Sequence, residues 1–436
     1  MKPILFTICL LGVVSLAAAA DLPNVDDQQH LGVATCASSV CHGSVQPYEN
    51  SRIQHNEFIT WQTDRHGNMH AKAYAKLLTD KGQSIAAKLD LGPAEEAREC
   101  LQCHADYVPH EQRGEEFQLD DGIGCEACHG GAEHYMETHT DKNRSQASKA
   151  EDGLFPTWQT ESRAKLCLSC HLGDSERMIT HQIMGAGHPR LTFELDTFTF
   201  LQPHHRVDED YIDRKGRVDN ARDWAVGQAL AASQMLELLQ DAEHGWRGVF
   251  IEPVLLDCHS CHRPMNEGRW QARSGTGLGP GEMRLNDSNL IMLRLIAMAV
   301  DADLSARIKD QTVKLHQATT QSRDALMQAA STLQGTINAA LPQFSRHEFS
   351  VSDLKKVFSQ LQREADSGEI LDYAAAEQAA MATVNLVTAY ENTGVIPKAS
   401  MESSIDRLFA TVAHEYDYDA GKFSVAMRGL QQQLPD

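Results

Sequence analysis

Apolar residues recur at three- and four-residue intervals over 221–242 and again along most of the chain beyond residue 286, a spacing that predicts amphipathic helices. The later run divides into predicted helices at 286–303, 304–341, 350–367, 370–393 and 400–416, rich in Ala, Leu, Gln and Glu, with Gly394 and Pro397 punctuating the last gap. Between residues 21 and 280 the pattern is different. Apart from 221–242, apolar runs there are short, and Gly122-Ile123-Gly124, Gly130-Gly131, 185–189 and 275–281 break the chain into short helices and long loops. No β-rich segment and no Gly-rich phosphate loop occurs. The expected architecture is mainly α, with a loop-rich domain over 21–280 and a C-terminal helical bundle over 281–436.

The first twenty residues change this picture in one respect. Lys2, the apolar stretch 4–16 and Ala18-Ala19-Ala20 match a secretory signal peptide, with cleavage expected after Ala20. Cys9 lies inside the apolar stretch, so a lipoprotein anchor is not expected and cleavage removes this cysteine. Removing 20 of 436 residues leaves 416, enough for one large or two medium domains. No later stretch has the eighteen or so uninterrupted apolar residues of a membrane span, because Arg294 breaks even 289–300. The expected location is the periplasm. Sixty acidic residues against 39 basic ones give a net charge of -21, which disfavours nucleic acid and anionic membranes and favours a partner with a basic docking surface.

The chemistry lies in the cysteines. The ten that follow the signal segment form five close pairs, each with a histidine directly after the second cysteine: Cys36-x4-Cys41-His42, Cys100-x2-Cys103-His104, Cys125-x2-Cys128-His129, Cys167-x2-Cys170-His171 and Cys258-x2-Cys261-His262. This is the c-type haem attachment pattern: two thiols reach the vinyl groups on one porphyrin edge, and the next side chain reaches the iron. The widened first pair still allows both thioethers if its two extra residues bulge away from the macrocycle. Disulfides do not call for a following histidine, and zinc ribbons do not place one at the same position five times. Five covalently attached haems are therefore expected, with His42, His104, His129, His171 and His262 as iron ligands.

What fills the opposite face of each iron decides between relay and catalysis. Sixteen histidines lie outside the motifs, a surplus that predicts mostly bis-histidine haems, while the 14 methionines read as core fillers. Two local contexts stand out, His188 in Gly185-Ala186-Gly187-His188-Pro189 and His204-His205 after Pro203. Both are loop-like, so His188 and His205 are candidate ligands. His259 sits inside its own motif loop and is not one. The C-terminal histidines, His316, His347 and His414, belong to a region read as structural or docking.

Trp61, His70-Ala71-Lys72-Ala73-Tyr74, Cys100–His104, Gly122-Ile123-Gly124-Cys125-Glu126-Ala127-Cys128-His129-Gly130, His139 and Cys167–His171 together resemble an exported multihaem cytochrome group. That group includes the tetrahaem cytochrome that accepts electrons from hydroxylamine oxidoreductase. The resemblance covers residues 36–171 and thins thereafter. It implies His70 as the second ligand of the haem on His129 and His139 as that of the haem on His171, with His134 and His66 as near competitors. It also implies that the haem on His104 is five-coordinate. The widened first motif, the fifth motif and the C-terminal helices depart from the tetrahaem pattern, so no ligands for the first and fifth haems carry over.

The expected function is electron transfer through the five haems. The alternative is an oxidoreductase acting on a small nitrogen or sulfur compound at a haem with an open axial position. The nitrite-reductase type of Cys-x2-Cys-Lys site is absent from the sequence.

Overall fold

In the computed structural model, residues 21–434 are described except 50, 52, 64–68, 203–204 and 263–271. Residues 1–20, expected to form a signal peptide and including Cys9, lie outside the described residues, as do His66 and His204. The described chain is mainly helical, and its strands are a two-residue hairpin pairing Trp246–Arg247 with Phe250–Ile251.

The longest stretch of apolar periodicity folds as expected. Asn220–Gln240 is one helix of 21 residues whose N-cap, Asp219, accepts a hydrogen bond from the Arg222 amide. It is buried on most of its surface because it lies at the centre of the helical half. Its largest helix partner is Arg323–Arg346, and Ser288–Val300, Thr160–His171 and Tyr373–Asn392 pack around it. The predicted helix 304–341 is in fact two, Ala302–Ala318 and Arg323–Arg346. The break has a local cause: the Thr319 and Thr320 hydroxyls donate back to the carbonyls of His316 and Gln317, and Ser322 caps the second helix by accepting from the Ala325 amide. That second helix runs on through Pro342 to Arg346, held by fully buried Phe344. Val351–Ser367 starts at a capping box between Ser350 and Asp353. The last predicted helix, 400–416, is shorter, at Glu402–Ala410, and a further helix, Ala420–Gln431, follows it.

One apolar cluster extends from Ala164 to Leu430 without interruption at residue 280. The expected boundary there does not coincide with a gap in packing: Leu236 and Leu239 before it and Leu293 and Leu333 after it share the same core. The change in character falls earlier. Before residue 160 the apolar core is small, with Leu77, Ala86, Ala94, Leu101 and Ala105 as its buried cluster. This half holds three of the five cysteine motifs. The helical half begins at Thr160 and Arg163, each bonding buried Asp223 of the central helix at 2.6 Å.

Candidate functional site

Three of the five motifs share a loop closure despite their different lengths. In the third and fifth, the histidine amide donates to the carbonyl of the first cysteine, His129 to Cys125 at 2.9 Å and His262 to Cys258 at 2.8 Å. The widened first motif makes the same bond, His42 to Cys36 at 3.2 Å, because a turn closed by the Cys41 amide on the Ser38 carbonyl absorbs the extra residues. Val40, in that turn, is exposed to solvent. Cys100, Cys103, Cys167 and Cys170 instead sit in the last turns of the helices Arg98–His104 and Thr160–His171.

Each motif histidine faces a second imidazole. The ring centroids are 6.3 Å apart for His42 and His139, 6.4 Å for His104 and His188, and 6.2 Å for His129 and His205. They are 6.1 Å apart for His171 and His70, and 6.0 Å for His262 and His181. Face-stacked rings in van der Waals contact approach to about 3.5–4 Å, and edge-on rings to about 4.5–7 Å. Two imidazoles sharing one metal, with bonds of about 2 Å and about 1.1 Å from each nitrogen to its ring centre, have centroids about 6 Å apart. The gap therefore suits a single metal atom between each pair, and with it a haem iron. Burial pushes the ring of His171 down to about 4, and also pushes His139 and His188 below the usual histidine range, so these imidazoles stay neutral, the form that binds a metal.

The cysteines fit the same cofactor. All ten described are free thiols. Among the described residues, the clusters close enough to cage a metal are His30 with Asp106 and Glu126, and Asp257 with His259 and Asp372, neither of which contains a cysteine. Burial pushes the thiols of Cys128 and Cys167 up to about 12. The thiols of Cys36 and Cys125 lie within hydrogen-bonding reach of one another, as do those of Cys103 and Cys170, so the attachment edges of the first and third motifs adjoin, as do those of the second and fourth.

The pairing differs from the one the resemblance implies. His70 faces His171 rather than His129: its carbonyl accepts from the Ile123 amide at 3.0 Å, which anchors the backbone beside the third motif while the ring reaches the fourth. Gly122 permits this approach, since at φ +74° a Cβ there would lie 2.7 Å from the His70 carbonyl oxygen. Trp61 fastens the same loop by donating to the Ile123 carbonyl at 3.0 Å. His139 faces His42 rather than His171, its Nδ1 donating to the Tyr135 carbonyl at 3.0 Å. His104, implied to have an open face, has His188 opposite. His134, a near competitor, is exposed.

His181 is the partner that sequence reasoning missed. The six-residue helix His181–Ala186, capped by Thr180, carries it at one end, and His188 follows the other. Two histidines seven residues apart, one opening a short capped helix and one just beyond its end, were the available signal. Glu252 holds this helix in place by accepting from the His181 amide at 2.7 Å.

With these pairs in place, the likeness to known proteins can be stated. Residues 35–130 match the family described as cytochrome c554 and c-prime. The matched stretch contains the first three motifs together with Trp61, His70 and the Gly122–Cys125 loop, and it supports a multihaem c-type cytochrome with covalently bound haem. No curated protein and no solved structure matches the chain.

The fifth motif is built into the C-terminal helices. Arg284 bonds Asp257 at 3.0 Å and Asp372 at 2.6 Å, and its amide donates to Ser260 Oγ. His259 is 3 % exposed, and its Nδ1 accepts from the Tyr373 amide at 3.4 Å, which turns it into the protein and away from a ligand role.

Proposed function

We propose that this protein is a periplasmic electron carrier holding five c-type haems, each ligated by two histidines. The attachment sites are Cys36/Cys41, Cys100/Cys103, Cys125/Cys128, Cys167/Cys170 and Cys258/Cys261. The ligand pairs are His42 with His139, His104 with His188, His129 with His205, His171 with His70, and His262 with His181. One observation carries the reading: every motif histidine has a second imidazole opposite, 6.0–6.4 Å away, which leaves no face for a substrate.

Haem supplies a one-electron Fe(III)/Fe(II) couple. The chain's own work would be to offer each haem two imidazoles, so that little reorganises on electron exchange, and to bring the attachment edges together at Cys36–Cys125 and Cys103–Cys170. The exposed cysteines, Cys41 and Cys261, lie at the first and fifth motifs, where partners can approach. The net charge of -21 favours a partner with a basic docking surface. The resemblance to the tetrahaem carrier that takes electrons from hydroxylamine oxidoreductase supports an exported redox enzyme as donor. No helix among the described residues is long and apolar enough to cross a membrane.

Mass spectrometry and electron paramagnetic resonance test this together. The expected result is a polypeptide carrying five haem masses with only low-spin ferric signals. A stoichiometric high-spin signal would move the protein to the alternative, catalysis on a small nitrogen or sulfur compound at an open iron.

A further inference from the structure

The ring nitrogens that face away from the gaps meet different acceptors. His104, His139 and His188 donate from Nδ1 to the backbone carbonyls of Ala73, Tyr135 and Pro189, at 2.8, 3.0 and 2.8 Å. His171 is enclosed by the rings of Phe193 and Phe198, with centroids 5.0 and 5.5 Å away. His42 instead donates from Nδ1 to a carboxylate, Glu57 Oε2, at 3.0 Å. Glu57 is 8 % exposed, and its other oxygen accepts from the Gln54 amide at 3.1 Å, so the carboxylate is fixed at both ends. The next residue completes a clamp, the Phe58 amide donating to the His42 carbonyl at 3.0 Å.

We propose that Glu57 is a positioning residue that lowers the reduction potential of the haem on His42 through the Nδ1 hydrogen bond. This rests on the haem reading given above. A carboxylate on the outer nitrogen of a metal-bound imidazole draws its proton, makes the ring a stronger donor and favours the more highly charged metal, here ferric iron. A backbone carbonyl, carrying no net charge, does this more weakly. Because Cys41 of the same motif is exposed, the tuned haem is one that a partner reaches directly. Glu57 thus acts where electrons cross between proteins.

The test is a spectropotentiometric titration of the haem-loaded protein and its Glu57→Gln variant, with haem counting by mass and spin state by paramagnetic resonance on both. Glutamine keeps the shape and an acceptor oxygen while removing the charge. The expected result is five low-spin haems in both proteins, with one midpoint raised in the variant by the equivalent of at least a tenfold change in the ferric/ferrous ratio, about 59 mV for one electron. Five low-spin haems with unmoved midpoints would overturn the role of Glu57 and leave the haem reading standing. Haem absent or high-spin in the unmodified protein would overturn both. Where that variant does not accumulate, Glu57→Asp decides: its shorter side chain withdraws the carboxylate from His42, so one raised midpoint supports the proposal and five unmoved midpoints refute it.

Discussion

The imidazoles of His181 and His262 face each other with ring centroids 6.0 Å apart, although one opens a six-residue helix and the other ends a cysteine motif. This pair completes the fifth site. Replacing His181 by Ala is expected to turn one of five low-spin haems high-spin while the thioethers of Cys258 and Cys261 keep it attached. Paramagnetic resonance with haem counting reads both, and an unchanged low-spin spectrum would remove His181 from the ligand set.

The continuous core across residue 280 has an energetic consequence. Leu236, on the central helix, is fully buried in the cluster that also contains Leu293 and Leu333. Leu236→Ala is expected to cost about 2–5 kcal/mol. In denaturant, helices on both sides of residue 280 should then unfold together at a lower midpoint, followed by far-ultraviolet circular dichroism. Two separate transitions, only one of them shifted, would show that the halves are independent.

His316 gives the helical half a pH dependence. Burial pushes this histidine below its usual range, and Arg273 adds to the effect against the opposing pull of Asp287, 3.8 Å away. The unfolded chain therefore takes up the proton first as pH falls. The contribution is complete above about pH 6.5 and is lost below it, with a slope of up to about 1.4 kcal/mol per pH unit. Urea midpoints between pH 7.5 and 5.5 should fall less steeply for His316→Gln than for the unmodified protein; parallel slopes would acquit His316.

Much of the helical half was legible because its cause is local. The helices around 221–242 and 350–367 appear within a residue or two of expectation, since periodicity and caps such as Asp219 and Ser350 act over one turn. The split at Thr319–Ser322 was written in residues that bond their own backbone, yet it was hidden by uninterrupted helical composition on either side. Ligand pairing was a different matter. The resemblance could propose His70 and His139, and loop-like context His188 and His205, but which ring meets which motif depends on contacts between distant segments. His70 shows why: its backbone is tied to the third motif through Ile123 while its ring belongs with the fourth. His181 was overlooked because nothing beside it resembles an attachment site.

The sparse apolar packing before residue 160 bears on how the protein matures. A segment with so few greasy side chains of its own has little to collapse around as a bare polypeptide. The porphyrins themselves must then serve as its interior, so attachment comes before compaction. A chain that misses even one ring keeps a hollow where its centre should be, and stays open to the proteases of its compartment.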